Sequence, residues 1–355
     1  MQILAIDIGT GTQDILIYDT EKEPENNYHM VMPSPTSIIA GRIRKATYSG
    51  SNILLTGDIM GGGPCVRAIR DHIHSGFCVY AEEKAALTIN DNIEKVKSLG
   101  IRIIRNVNEI SKNDKPFERI KMGDIDPDIF KRSFSSFDLI VPDRICVALQ
   151  DHGNSPHSSN RKARFRYLED TINKGGTIDC FTYEYHDIPE DLTRMKAASK
   201  ALSRFDTVFM DTGPAAIFGA MEDSRAVQPC IVVNVGNGHT LAAVVSDDRI
   251  VGLFEHHTSA IDWHNFQKYI IKLGDGSLTF EEIFNEGGHG CYTIENIGIE
   301  SIRSVLVTGP NRNRVENIPL LSQGFRGEVI FAAPAGNMML SGCYGLVAGH
   351  LQKKK

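Results

Sequence analysis

Apolar positions along this chain gather into short dense runs, and two of these runs share one layout. Residues 3–6 are apolar, Asp7, Gly9 and Gly11 follow, and a second apolar run occupies 15–18. Residues 231–233 are apolar, Asn234, Gly236 and Gly238 follow, and a further apolar run occupies 241–245. Runs of this length, broken by a glycine-bearing turn, predict β-hairpins with buried strands. Residues 36–58 read as further strands, 64–74 as a helix opened by Pro64, 82–99 as a helix pair and 101–107 as a short strand. Residues 112–136 are polar and read as an excursion from the pattern. Strands are expected again at 139–141, 145–149, 177–185, 207–211, 305–308 and 329–332. Helices are expected near 161–173, 190–204, 214–221, 262–273, 279–285, 296–302 and 338–351. Strands grouped before helices, twice over, predict an α/β protein of two like-folded halves with a cleft between them.

Composition narrows the class. The chain has 355 residues, enough for about two domains. With 41% hydrophobic and 23% charged residues it reads as an ordinary globular protein. A net charge of −6 gives no electrostatic reason to expect nucleic acid or an anionic membrane as partner. No apolar run approaches the ~20 residues that span a bilayer. The start at Met1 lacks a basic region and leads straight into a strand, so a cytoplasmic location is expected. The seven cysteines (65, 78, 146, 180, 230, 291 and 343) are odd in number and scattered, which suits a reducing compartment. No two lie within four residues of each other, so neither a local zinc knuckle nor an iron–sulfur loop is encoded.

The candidate chemistry sits at the turns. Asp7 closes a strand buried on both faces, where a carboxylate is costly unless a cation is near. Gly9 and Gly11 let backbone N–H groups approach a ligand, and successive N–H groups pointing one way form an anion nest. A carboxylate for Mg²⁺ beside a nest for phosphate is what a nucleoside triphosphate requires. A plain hairpin, with glycines serving only the turn, is the alternative for one copy. The second copy favours the ligand site. Asp151, at the end of the 145–149 strand, could orient a nucleophile or cap a loop. Glu255, His256 and His257 end the strand after the second turn, with His152, His157 and His264 elsewhere. By period-two alternation Glu255 and His257 share a face and His256 points away. A Zn²⁺ or Fe²⁺ site would thus draw on Glu255 and His257, with His152, or on His256 with helpers from elsewhere, but not on the adjacent histidine pair. Residues 61–64 could hold an anionic group at a helix start or simply pack closely. Arg161, Lys162, Arg164 and Arg166 read as a mainly solvated face from which one arginine could reach a substrate anion. Residues 287–290 read as a flexible loop.

The pattern resembles the actin, Hsp70 and sugar-kinase superfamily of ATP-binding proteins. Asp7-Ile8-Gly9-Thr10-Gly11 resembles its first phosphate loop, and Asn234-Val235-Gly236-Asn237-Gly238-His239-Thr240 its second. Residues 212–220 and 336–348 resemble the two connecting helices, and Val305-Leu306-Val307-Thr308-Gly309-Pro310 the adenosine strand and turn. All five occur in the family's order and span nearly the whole chain. The resemblance implies two RNase H-like, actin-like ATPase lobes: residues 1–213, then 214–336, with the 337–355 helix returning to the first lobe or to the hinge. It implies ATP and Mg²⁺ as cofactors. Phosphate contacts would come from Gly9, Thr10, Gly11, Thr12, Gln13, Gly236, Asn237, Gly238, His239, Thr240 and Gly309. Asp7 would hold Mg²⁺ and Asp151 would assist the nucleophile.

Two positions depart from the superfamily pattern. Asn234 stands where the second loop carries Asp, which weakens any cation grip on that side. Pro310 stands where a second Gly is usual, which removes a donor and stiffens the turn. The implied function is an Mg-dependent ATPase or small-molecule phosphotransferase with an unidentified small-molecule or protein acceptor. The alternatives are a nucleotide-dependent regulatory or assembly module with little turnover, and a metal-dependent carbamoyl-type group transferase. The sequence also resembles a mainly archaeal family labelled pyruvate formate-lyase-activating enzymes. Radical activation by an iron–sulfur cluster is not expected, because the closely spaced cysteines it needs are missing.

Overall fold

A computed structural model describes residues 1–110, 116–155, 159–316 and 325–354. The chain opens with an antiparallel meander: β1 (Gln2–Ile8), β2 (Thr12–Asp19) and β3 (Tyr28–Pro33). Helix α1 (Pro35–Tyr48) follows where strands were expected. Ser34 accepts a hydrogen bond from the Ser37 amide, Pro35 fills the first turn, and Thr36, Ile39, Ala40, Ile43 and Ala46 form the buried stripe. That spacing is helical, and the capped start decides it.

A small parallel layer comes next. It comprises β4 (Asn52–Gly57), α2 (Pro64–His74), β5 (Val79–Ala81), α3 (Glu83–Ala86), α4 (Ile93–Ser98), β6 (Arg102–Ile103) and β7 (Phe117–Met122). Its strands order β6-β5-β4-β7 and pair in parallel. Much of the polar stretch at 112–136 is therefore β7 and α5 (Pro127–Ser135). Residues 111–115 lie outside the described residues. Residues 139–141, expected as a strand, form none.

The main chain then returns to the first sheet through β8 (Arg144–Leu149), α6 (Asn160–Asn173), β9 (Thr182–Glu184), α7 (Thr193–Ala201) and β10 (Asp206–Met210). Helix α8 (Thr212–Met221) leads to the second meander: β11 (Cys230–Val235), β12 (His239–Ser246) and β13 (Arg249–His257). There follow α9 (Phe266–Gly274), α10 (Phe280–Asn285), β14 (Gly290–Thr293), β15 (Ser304–Thr308), β16 (Glu328–Phe331) and α11 (Ser341–Lys353). The helix expected near 296–302 is only a 3₁₀ turn at Ile299–Ser301.

The two large sheets repeat one topology. The first orders β3-β2-β1-β8-β10-β9 and the second β14-β13-β12-β11-β15-β16. In each, three antiparallel strands are followed by two parallel ones, β1 with β8 and β10 in the first and β11 with β15 and β16 in the second. This is the RNase H-like strand order, given twice. Asp7 pairs with Asp14 across β1 and β2, and Asn234 with Leu241 across β11 and β12, so Asp7 and Asn234 occupy equivalent sites. Buried residues of β1, α8, β11 and α11 join in one apolar cluster between the sheets.

Helices α8 and α11 cross in direct backbone contact. A Cβ on Gly219 would lie 1.6 Å from the Ser341 carbonyl, and one on Gly345 would lie 2.0 Å from that of Ala215. Among the described residues, no helix is long and apolar enough to cross a membrane.

Candidate functional site

The two glycine turns are built alike and meet. The Gly9 amide donates to the Thr12 carbonyl at 2.9 Å, and the Gly236 amide to that of His239 at 3.0 Å. None of Gly9, Gly11, Gly236 or Gly238 has a left-handed φ. Their glycine character serves space instead. A Cβ on Gly11 would lie 2.8 Å from Asn237 Nδ2, one on Gly236 2.7 Å from the His239 carbonyl, and one on Gly238 3.1 Å from Thr10 Oγ1. Gly309 is the one that also needs the left-handed region, at φ 95°. The outer carbonyls of the turns are occupied: Ser34 N–H donates to Gly11 O, and Thr258 donates to Gly238 O through its amide and to Gly236 O through its hydroxyl.

Both turns border one cavity of about 830 Å³. Of the expected residues, Asp7, Gly9, Thr10, Thr12, Asp151, His152, Gly236, Asn237, Gly238, His239, Glu255, His257 and Gly309 line it. Gln13, Thr240 and Gly11 do not. Gln13 turns its amide to the Pro33 carbonyl, and Thr240 is buried with its hydroxyl on that of Thr258 at 3.0 Å. Both are held as parts of the strands rather than presented to a ligand. His157 lies outside the described residues.

Asp7 sits where the two crossing helices begin. Thr212 of α8 donates to its Oδ1 at 2.5 Å, and a Cβ on Gly342 of α11 would lie 2.0 Å from its Oδ2. Its strand partner Asp14, missed in the sequence, shares the cavity wall and leaves Oδ1 buried without a hydrogen-bond partner. Burial pushes Asp7 up to about 7 despite the Thr212 bond. Burial, then the neighbouring Asp7, pushes Asp14 up to about 8. A half-buried and a buried carboxylate facing each other across a hairpin are a natural seat for a divalent cation.

Asp151 is less open than its position in the sequence suggests. Its carboxylate accepts from the Met195 amide at 2.8 Å and from the Gly153 amide at 3.0 Å, fixing the start of α7 and its own loop. Burial raises it to about 6, while these two bonds and Arg194 work to lower it. Gly61 packs on Arg194, which is bound to Asp124 at 2.6 Å, the Gly61 amide is taken by Asp124, and Gly62 packs on Val66 and Thr88. All three glycines at 61–63 also line the cavity.

The basic run departs furthest from expectation. Arg164 is fully buried and bridges Asp211, at 2.6 and 2.8 Å, and Glu255, at 3.0 and 3.1 Å. Glu255 is therefore committed to Arg164. Burial alone would raise it, but Arg164, with His289 and His239, holds it well below the usual carboxylate range. Arg161 lies 4.2 Å over the Phe284 ring and donates to the carbonyls of Phe284 and Gly288. Residues 287–290, read as a flexible loop, are thereby pinned and carry the buried His289 into the cavity.

Of the expected metal set Glu255, His257 and His152, only His152 joins the group whose donor atoms converge. That group is His152, His239 and His289. His257 stacks beside it, with ring centroids 4.8 Å from His239 and 4.7 Å from His289. No pattern in the sequence joins these residues, since they come from three separate loops and strand starts.

A family model described as "Putative pyruvate format-lyase activating enzyme (DUF1786)" matches residues 60–314. The chain belongs to that family. No curated protein matches it. Among solved structures, the ethanolamine utilization protein EutJ from Carboxydothermus hydrogenoformans is 11% identical, with 98% of this chain and 89% of that one covered and a TM-score of 0.35. A Bacteroides thetaiotaomicron protein with an actin-like ATPase fold is 7% identical, with coverages of 98% and 95% and a TM-score of 0.38. The ROK hexokinase from Thermus thermophilus is 10% identical, with coverages of 100% and 99% and a TM-score of 0.35. At such scores the repeated strand order, not these likenesses, identifies the fold. The family description implies an iron–sulfur activator, and the cysteines do not fit one. All seven are free, and among the described residues no three come together as a metal-binding group.

Proposed function

We propose that this chain is an actin-like nucleotide-binding protein that takes Mg–ATP between its two hairpin turns and either hydrolyses it or transfers its γ-phosphoryl group. The observation that carries the reading is the apposition of two identically closed glycine turns beside the Asp7–Asp14 pair. Amides at the turn tips, with Thr10, Thr12 and Asn237, would hold phosphate oxygens. Asp7 and Asp14 would hold Mg²⁺, which supplies charge neutralisation at the phosphates. Thr308, Gly309 and Pro310 line the cavity beside the second turn and suit the nucleoside. Arg67 and Arg70 of α2 border the same cavity and suit an anionic acceptor. Asp151, with both oxygens engaged by backbone amides, acts in this reading by positioning the His152 loop rather than by taking a proton directly.

Removing the first carboxylate tests this. Asp7→Ala should lower Mg–ATP affinity by at least ~10-fold, about 1.4 kcal/mol, with the circular dichroism spectrum unchanged. Calorimetric titration that finds equal affinity overturns it. A second reading, a nucleotide-dependent regulatory or assembly module with little turnover, is favoured by the uncharged Asn234 and the engaged Asp151 carboxylate. Single-turnover hydrolysis separates the two: tight binding with turnover near the uncatalysed rate selects the second. The third reading, metal-dependent group transfer, depends on the histidine group.

A further inference from the structure

We infer that His152, His239 and His289 form a binding site for one borderline divalent transition-metal ion, with Zn²⁺ the best fit, at the floor of the cavity between the two halves. One donor atom from each of the three lies within 4.8 Å of the others. A tetrahedral ion bound at about 2.0 Å needs its nitrogen ligands about 3.3 Å apart, a change that small ring rotations provide. His239 Nε2 and both ring nitrogens of His289 are buried without hydrogen-bond partners. Leaving such atoms unpaired is costly, and a shared cation takes up the lone pairs of several converging ring nitrogens at once.

The surroundings are those of a metal site. Glu255 Oε2 lies 3.6 Å from His289 Nδ1, too long for a hydrogen bond, and a small ring shift on ion binding would close it and leave Nε2 to the ion. Arg161 fixes the Gly288 carbonyl and so the backbone that presents His289. Arg164, Asp211 and Glu255 together carry one formal negative charge buried beside the rings. Three imidazole donors without thiolate favour Zn²⁺, Co²⁺ or Fe²⁺ over Mg²⁺. All three residues line the cavity, so a remaining coordination position faces the space next to the second phosphate turn. The ion would also join halves, since His152 follows β8 of the first sheet while His239 opens β12 and His289 precedes β14 of the second.

The site is independent of the nucleotide reading, and its test uses no nucleotide. The full chain, purified without a polyhistidine tag and stripped by chelator, is titrated with Co²⁺ and with Zn²⁺. About one equivalent should bind, with visible Co²⁺ absorption of a low-coordinate nitrogen site and a raised melting temperature. His152→Ala and His239→Ala, at half-buried positions, should each lose ~10-fold or more in affinity while staying folded; the exposed His264→Ala should not change it. Asp7→Ala should retain the Co²⁺ site, which separates it from the Mg²⁺ site. A folded wild type that takes up neither ion overturns the proposal. So does uptake that His152→Ala and His239→Ala both leave unchanged.

Discussion

Arg164 is the largest fully buried side chain and the one whose loss should be felt most. Among the described ion pairs its guanidinium is the partner of both Asp211 and Glu255, and Glu255 alone has a second, longer contact, to His289. Arg164→Met should therefore strand two buried carboxylates and cost about 3–5 kcal/mol, read as a lower urea midpoint. Arg164→Lys should rescue little, because an ammonium cannot form both two-pronged contacts. A loss below about 1 kcal/mol would sink this account. His350 of α11 offers a pH test away from the cavity. Its ring is pushed down to about 4, first by burial, then by Arg144 and Lys354, against the opposing pull of Asp206. The unfolded ring titrates near 6.5, so between 6.5 and 4 the unfolded chain binds more protons and stability falls as pH falls. His350→Leu should flatten that fall. Urea midpoints at pH 7 and pH 5 measure it, and an equal drop in both proteins refutes it.

Among elements, the crossing of α8 and α11 should tolerate no side chain at its centre. Gly219→Ala or Gly345→Ala places a methyl inside the other helix's backbone and should cost several kcal/mol or prevent folding. Gly41→Ala, in the middle of α1 with nothing within 4 Å, should stabilise by about 0.5–1 kcal/mol. Thermal unfolding of the three variants compares them directly, and equal effects would contradict the geometry.

Elements also mark what the sequence could reveal. The two hairpins, α8, β15 and α11 were readable because apolar runs and glycines sit at fixed, local spacing. Helix α1 was misread because Ile38, Ile39 and Ile43 look as much like a strand as a helix until Ser34 and Pro35 are given their capping roles. The Asp7–Asp14 pair was half readable: Asp7 follows an apolar run, but Asp14 acquires meaning only through strand register. The histidine group was unreadable in composition, since its members stand 87 and 50 positions apart (239 minus 152, 289 minus 239) and meet only through two loops and a sheet edge. Arg164 was misread because helical spacing alone does not say which face of α6 meets the second sheet.

At the scale of the molecule, two equal sheets face a cavity whose volume lies in the range usual for small-ligand sites. Mg–ATP should draw the halves together, and hydrogen exchange should report it. Amides at 9–12 and 236–239 should gain protection, while β4 and β5 of the small parallel layer should change little. Protection spread evenly over all sheets, or confined to one turn, would contradict a ligand held between both turns.

Where the molecule can open follows from Arg164. Parting the halves at that point would expose a lone cation and two anions at once, whereas the turns approach each other at Gly11 and Asn237 and at Thr10 and Gly238, with no ion pair described between them. Any opening of the halves is therefore expected to resemble the covers of a book whose spine runs through Arg164 and the α8–α11 crossing.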